Sequence, residues 1–125
     1  MHTEIIPKKV WEFQQRWREV FSKKVKAQKG RWIYRGFDWH AFSYNFAQYK
    51  EGSNAYESYK RIKEQNFIII SEDEGSPSFS CTSERAPDLS NFMGDYYVFP
   101  ETLEWTMVFT HEDGLGPYFA RKEWQ

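Results

Sequence analysis

The sequence predicts an α+β domain in which an antiparallel or mixed sheet of about four to six strands packs against two helices, a long N-terminal one and a shorter one. Apolar residues recur at three- and four-residue intervals over residues 7–28 and 53–65, whereas short aromatic and β-branched runs follow from residue 67 onward. A chain of 125 residues can bury one hydrophobic core, so we interpret residues 1–125 as a single globular domain.

The first helix is predicted over residues 7–28. Its apolar stripe comprises Val10, Phe13, Trp17, Val20, Phe21 and Val25. Pro7 suits the first helical turn, and Gly30 suits the position just beyond the last one. We therefore expect one face of this helix to pack against the sheet and the other, which is rich in lysine and arginine, to face solvent.

Residues 31–46 are dense in aromatic side chains, and their alternation over 39–46 favours an extended segment over a helical turn. Asp38 and His40 would share one face of such a strand, where they could form a carboxylate–imidazole pair. The preferred alternative is a histidine at the edge of the core whose hydrogen bonds are satisfied by its neighbours.

The second helix is predicted over residues 53–65, because Asn54 and Glu57 have the spacing of a capping box. The continuous apolar run over residues 67–70 that follows it is typical of a central strand buried on both faces. Residues 71–94 are rich in Ser, Gly, Pro and acids and predict a long loop, with a short strand around 79–82.

The C-terminal stretch, residues 95–119, predicts two or three antiparallel strands. One face of the middle strand is expected to carry Leu103, Trp105, Met107 and Phe109. This alternation indicates a half-buried strand, flanked by short strands over 95–99 and 117–120. The Asp-Gly pair at residues 113–114 favours a hairpin turn, which would expose His111, Glu112 and Asp113.

Charge is distributed unevenly along the chain. Residues 1–36 contain ten Lys and Arg against three Glu, whereas residues 72–115 contain ten acids against Arg85 alone. Two such regions on one small domain can steer oppositely charged partners, or they can pack side by side and cancel.

No pattern of a cofactor or metal site is present. The chain has one cysteine, Cys81, and lacks the metal, phosphate-binding and nucleophile motifs that support known enzyme classes. It also lacks a long apolar run or an apolar signal-peptide core, so no membrane association and a cytoplasmic location are expected. We expect no metal, no cofactor and no enzymatic activity.

Two motifs carry a resemblance to known proteins. The first is Trp39-His40-x-Phe42-Ser43-Tyr44, followed by Gly52-x-x-Ala55, and the second is Thr110-His111-Glu112-x-x-x-Gly116-Pro117-Tyr118-Phe119. Together they resemble a domain-of-unknown-function family of small bacterial proteins over roughly residues 35–120. The second motif is also similar to the ending of several small immunity proteins encoded beside bacterial polymorphic toxins. That similarity implies a cytoplasmic α+β module that blocks a toxin by direct binding.

The leading functional hypothesis is therefore an immunity-type bacterial protein that binds and neutralises a cognate toxin. The 25 aromatic residues exceed what one core of this size can hide, and exposed aromatics beside acids would suit a basic partner such as a nuclease. The expected partner-binding residues are Asp95, Glu104, Trp105, His111, Glu112, Asp113 and Tyr118, with Trp39 and His40 as motif residues of unassigned role.

Two alternatives remain open at this point. The basic N-terminal helix, which contains Trp11 and Trp17, could bind nucleic acid. His40 and His111 could act together as acid and base in a hydrolase if the fold brings them close.

Overall fold

The computed structural model describes residues 2–23, 39–43, 47–73, 75–111 and 114–125. Within them, one seven-stranded sheet is formed by β1 (His2–Glu4), β2 (Lys50–Glu51), β3 (Asn66–Ser71), β4 (Phe79–Thr82), β5 (Tyr96–Phe99), β6 (Trp105–Phe109) and β7 (Tyr118–Arg121). The strand order is β1-β4-β3-β5-β6-β7-β2, and every neighbouring pair is antiparallel. The α+β prediction is confirmed, with a slightly larger sheet than expected.

Three α-helices accompany the sheet in the described residues: α1 (Pro7–Phe21), α2 (His40–Ser43) and α3 (Ser53–Lys60). A 3-10 helix over Lys122–Trp124 follows β7. No helix in the described ranges has the length and apolar character needed to cross a membrane.

The first predicted helix is confirmed at its start and ends earlier than expected. Pro7 occupies the first turn, and Ser22 caps the other end by donating its backbone N–H to the carbonyl of Arg18 at 2.8 Å. Residues 24–28 of the predicted helix, and Gly30, lie outside the described residues.

The second predicted helix is also shorter than expected, because α3 stops at Lys60. The Arg61 N–H bonds to the carbonyl of Ser58 at 3.2 Å, a tightened last turn that frees the chain to enter β3. The capping-box prediction is wrong, since the N-cap is Gly52, at φ 66°, and no side chain caps the helix.

The sheet is covered on both faces, so the molecule has three layers. On one face α1 buries Trp17 and Phe21 against alternate residues of the central strands, which are Ile68, Ile70, Tyr97, Phe99 and Val108. On the other face α3 buries Ala55 and Tyr59 against Phe67, Ile69, Val98, Trp105, Met107, Phe109 and Phe119. The prediction of a doubly buried strand at residues 67–70 is confirmed by β3.

The half-buried character predicted for β6 is wrong, because all five of its residues are buried. Trp105, Met107 and Phe109 face α3, whereas Val108 faces the α1 side. Leu103 does not share the Trp105 face: it precedes the strand at φ 58° and packs in the α1-side cluster.

The extended conformation expected over residues 39–46 is wrong where the structure describes it. His40–Ser43 form the one-turn helix α2, and Trp39 and Phe42 are fully buried. A spacing of three residues places Trp39 and Phe42 on one side of a helical turn, where both rings contact Tyr118, at 5.9 and 5.6 Å. Residues 44–46 lie outside the described part of the chain.

Candidate functional site

The predicted binding residues divide between the two ends of the sheet. Asp95 precedes β5 and His111 follows β6, so the antiparallel pairing of these strands places both at one end. Glu104 precedes β6 and lies at the opposite end, separated from His111 by roughly 20 Å of nearly extended chain. Glu104 and His111 therefore flank the two ends of β6.

Two of the expected aromatic contacts belong to the core. Trp105 and Tyr118 are each only 1% exposed, because helices cover both faces of β6 and β7. The indole Nε1–H of Trp105 donates to Glu64 Oε1 at 2.9 Å, and the Tyr118 ring stacks on Trp39. The expectation that these two side chains are exposed anchors is corrected accordingly.

Asp95 lies at the centre of the remaining site. Its side chain is 1% exposed and accepts hydrogen bonds from the Trp39 indole Nε1–H at 2.7 Å and from the His111 backbone N–H at 2.8 Å. The Nδ1 atom of His111 lies 2.5 Å from the same carboxylate. This carboxylate therefore joins the two sequence motifs, which are far apart in the chain, into one structure.

A second chain of hydrogen bonds holds Trp39 from its backbone side. The Trp39 backbone N–H donates to the Tyr97 hydroxyl at 3.1 Å, and that hydroxyl donates to Glu72 Oε1 at 3.0 Å. The Glu72 backbone N–H donates to the backbone carbonyl of Asp95 at 2.9 Å, which closes the chain of hydrogen bonds at Asp95. Trp39 is thus fixed at both its indole and its backbone.

The Asp95–His111 pair can orient an imidazole for chemistry or for a fixed polar contact. The His111 side chain is 48% exposed, whereas its carboxylate partner is buried, an arrangement that fixes ring orientation. In the parts of the chain that the structure describes, no group of three His, Cys, Asp or Glu side chains is placed to hold a metal ion.

Several predicted residues lie outside the described positions. These are Glu112 and Asp113 of the expected acidic turn and Asp38 of the expected carboxylate–imidazole pair. His40 begins α2, and its backbone alone is described.

Thr110 and residues 114–117, beside His111, are tightly constrained. Gly114 and Gly116 both have positive φ, and the Thr110 hydroxyl donates to the carbonyl of Leu115. The Gly116 N–H donates to Glu51 Oε2 at 3.1 Å, which ties the loop to β2. A side chain at Gly116 would begin only 2.7 Å from Thr110 Oγ1, so the close approach requires glycine.

Sequence reasoning missed the most exposed apolar residues of this end. Phe92 is 60% exposed and Met93 is 90% exposed, and both precede Asp95 by no more than three residues. A cleft of about 180 Å³ lies between the 89–94 segment and the chain formed by Thr110 and residues 114–117, and both Phe92 and Thr110 line it. The detectable signal was an adjacent Phe-Met pair without strand or helix periodicity inside a polar loop.

The opposite end of the sheet carries an acidic cleft of about 590 Å³, lined in part by Glu64, Glu101 and Glu104. Arg16 of α1 donates to the backbone carbonyl of Glu101 at 2.5 Å, and Lys9 pairs with Glu12 within the helix at 3.6 Å. Arg16 therefore brings the basic helix into contact with the chain that lines the acidic cleft.

Comparison with known protein families identifies a family that covers most of the chain. The profile of a family described as Domain of unknown function (DUF4275) matches residues 2–119. No curated protein and no solved structure matches the chain.

Proposed function

Since this chain belongs to the DUF4275 family, a domain of unknown function, we propose its function from its surface: it is an immunity-type bacterial protein that neutralises a cognate toxin by direct contact. It acts in the cytoplasm on a partner with a basic surface, such as a nuclease, and needs neither a cofactor nor a catalytic residue. The contact is made by the end of the sheet that carries Phe92, Met93 and His111, which we call the His111 end.

The observation that carries this proposal is the exposure of two adjacent large apolar side chains. The side chains of Phe92 and Met93 are mostly exposed to solvent. They lie close in sequence to Asp95, whose buried carboxylate accepts hydrogen bonds from Trp39 and His111. Aromatic residues and methionine are enriched at protein–protein interfaces and are anchors when a partner covers them.

The surrounding structure also suits a preformed contact. Asp95 fixes His111 through its ring and its backbone, and the Phe92 ring packs edge-on against Tyr96 at 6.4 Å. A surface that is already rigid loses less conformational entropy on binding, so it gains affinity without additional area.

The proposal is tested by co-expression with the product of each neighbouring reading frame in a bacterial host. We expect one neighbour to arrest growth, the wild-type protein to restore growth, and the two proteins to purify together. If no neighbour is toxic or none is neutralised, the immunity function is wrong.

A matched pair of variants tests the contact surface. The double variant Phe92→Asp with Met93→Asp places two charges at the His111 end and should abolish rescue. Trp11→Asp changes an equally exposed side chain on α1, 61% exposed, and should leave rescue intact. Rescue by the double variant would place the contact elsewhere.

A second candidate function, histidine-dependent hydrolysis, is favoured by the Asp95–His111 contact alone. A buried carboxylate that holds an imidazole through Nδ1 is the arrangement that orients general bases. This candidate predicts a hydrolytic activity of the purified protein that His111→Ala removes while the circular dichroism spectrum stays that of the folded protein.

The nucleic-acid alternative is favoured by one feature of α1. Lys8 and Trp11 are both exposed and lie three residues apart, on one side of the helix. It predicts binding to single-stranded DNA or RNA that weakens steeply with salt and quenches Trp11 fluorescence. Binding that is absent at low salt would eliminate it.

A further inference from the structure

We propose that the cleft at the His111 end receives an arginine side chain of the partner, an inference that rests on the proposed function and names the group recognised there. The cleft lies between the 89–94 segment on one side and Thr110 with residues 114–117 on the other, and it has a volume of about 180 Å³. That volume suits one long side chain and not a folded element.

The lining of the cleft combines rings with polar atoms. Tyr56, Phe92 and Phe109 supply aromatic surface, whereas Ser90, Thr110 and the backbones of the loop glycines supply hydrogen-bonding groups. A guanidinium is planar, stacks on aromatic faces and donates several hydrogen bonds, and its aliphatic stem tolerates apolar walls. Arginine therefore fits this mixed lining better than a purely apolar side chain does.

The charges at the rim favour a cation. Asp73 Oδ2 lies 3.3 Å from the position that a side chain of Gly94 would occupy, and Gly94 lines the cleft. Asp88 accepts the Ser90 N–H at 2.9 Å, so its carboxylate is held beside a second lining residue. The hydrogen bonds from Ser90, and then the charge of Lys60, lower the pKa of Asp88, which keeps this carboxylate ionised.

The walls of the cleft are held in place before a partner arrives. Tyr56 of α3 contacts the buried Phe109 ring at 6.1 Å, and the Phe92 backbone N–H donates to the carbonyl of Leu89 at 3.1 Å. The opposite wall is fixed by the Thr110–Leu115 and Gly116–Glu51 hydrogen bonds. A cation entering this cleft meets walls that are already fixed and does not have to order them.

The probe is a blocked tripeptide, Gly-Arg-Gly, titrated into the full-length protein and followed by backbone amide NMR shifts. We expect the shifts to cluster in the 89–94 and 114–117 segments. The isosteric control is Gly-citrulline-Gly, which has the same shape without the charge and should bind at least about threefold more weakly. The Gly-Lys-Gly peptide should also bind more weakly, because lysine lacks the planar group.

Three variants locate the charge and the ring. Asp73→Asn with Asp88→Asn keeps the Asp88 hydrogen-bond acceptor, removes two charges and should weaken Gly-Arg-Gly binding about threefold to tenfold. Glu101→Gln with Glu104→Gln removes two charges at the opposite end and should leave binding unchanged. Phe92→Leu keeps an apolar side chain, removes the ring and should cost about twofold to fivefold.

Other outcomes overturn the inference in distinguishable ways. Equal binding of the arginine and citrulline peptides removes the charge recognition, and shifts confined to residues around Glu101 and Glu104 place the cation at the acidic cleft instead. Absent binding refutes the arginine site, yet growth rescue lost in Phe92→Asp with Met93→Asp would leave the proposed function standing. Growth rescue retained by that variant would place the toxin contact elsewhere, which removes the arginine site and leaves the immunity function standing.

Discussion

Replacing Asp95 by asparagine is the sharpest test of how the two sequence motifs are joined. The carboxylate receives three donors, the Trp39 indole N–H and the backbone and ring nitrogens of His111, on its two oxygens. Asparagine has nearly the same shape but only one acceptor oxygen, and its NH₂ group is itself a donor. Whichever way the amide turns, one donor faces another donor.

The size of the effect follows from this mismatch. One buried N–H left without an acceptor costs about 1–3 kcal/mol, and the remaining bonds lose the strength that a charged acceptor gives them, about 1 kcal/mol. Because asparagine is neutral, the substitution also removes the cost of burying the carboxylate charge, which offsets part of the loss. We therefore expect Asp95→Asn to lower the free energy of unfolding by about 2–3 kcal/mol. The exposed control Glu84→Gln should change it by less than about 0.5 kcal/mol.

The assay is urea denaturation followed by far-UV circular dichroism, since substitution of Trp39 would disturb a fluorescence signal. In a double-mutant cycle, Trp39→Phe removes the donor that the amide NH₂ would oppose, so Asp95→Asn should cost about 1–2 kcal/mol less in that background. Additive costs of the two substitutions, or a cost of Asp95→Asn no larger than that of Glu84→Gln, would refute the hydrogen-bond argument.

Three further predictions concern stability and can be measured on the same apparatus. Burial, and then the charge of Asp88, raise the pKa of Tyr59, whose hydroxyl donates to the carbonyl of Pro87 at 2.5 Å. Tyr59→Phe should therefore cost about 1 kcal/mol at pH 7. The difference in unfolding free energy between the wild type and Tyr59→Phe should shrink above about pH 10. At that pH the phenol ionises in the unfolded wild type before it does in the folded one, so only the wild type loses stability. Gly116→Ala should cost about 2–4 kcal/mol, since it combines φ 82° with a contact of 2.7 Å, whereas Gly75→Ala, with open space around it, should be nearly neutral. Thr106→Val should cost about 1–3 kcal/mol, because it leaves the Trp17 indole N–H, 2.9 Å from the Thr106 hydroxyl, without its acceptor.

The parts of the fold that the sequence predicts are those with strong local patterns. The apolar stripe of α1 and the continuous run of β3 each identify their element, because burial there has the period of the element itself. The two short edge strands have no such signal. β1 is three exposed residues and exists because His2–Glu4 pair with β4, and β2 is the two-residue partner of β7. Pairing between distant segments, and not local preference, determines these strands.

The same distinction explains what was predicted of the candidate site. The hairpin connection between β6 and β7 could be expected from its glycines, and His111 could be assigned to it. The Asp95 contact with Trp39 joins residues 56 positions apart, and nothing in either local sequence specifies it. The sequence did not predict the burial of both Trp105 and Tyr118. Alternation of apolar and polar residues indicates one buried face of a strand, whereas a second helix layer on the other face leaves only a weak trace in sequence.

The aromatic content of the chain acquires a different meaning once both faces of the sheet are known to be covered. The sequence predicts that 25 aromatic residues cannot all be buried in one core, but two apolar layers absorb nearly all of those in the described ranges. Within those ranges, Trp11 and Phe92 are the exposed aromatic side chains. Abundance alone therefore does not indicate a contact surface. Phe92 is informative because Met93, more exposed still, lies next to it, and because the loop that carries both leads into the buried Asp95 network. A pair of apolar side chains held in water by a rigid support is an arrangement that a partner can stabilise by covering it.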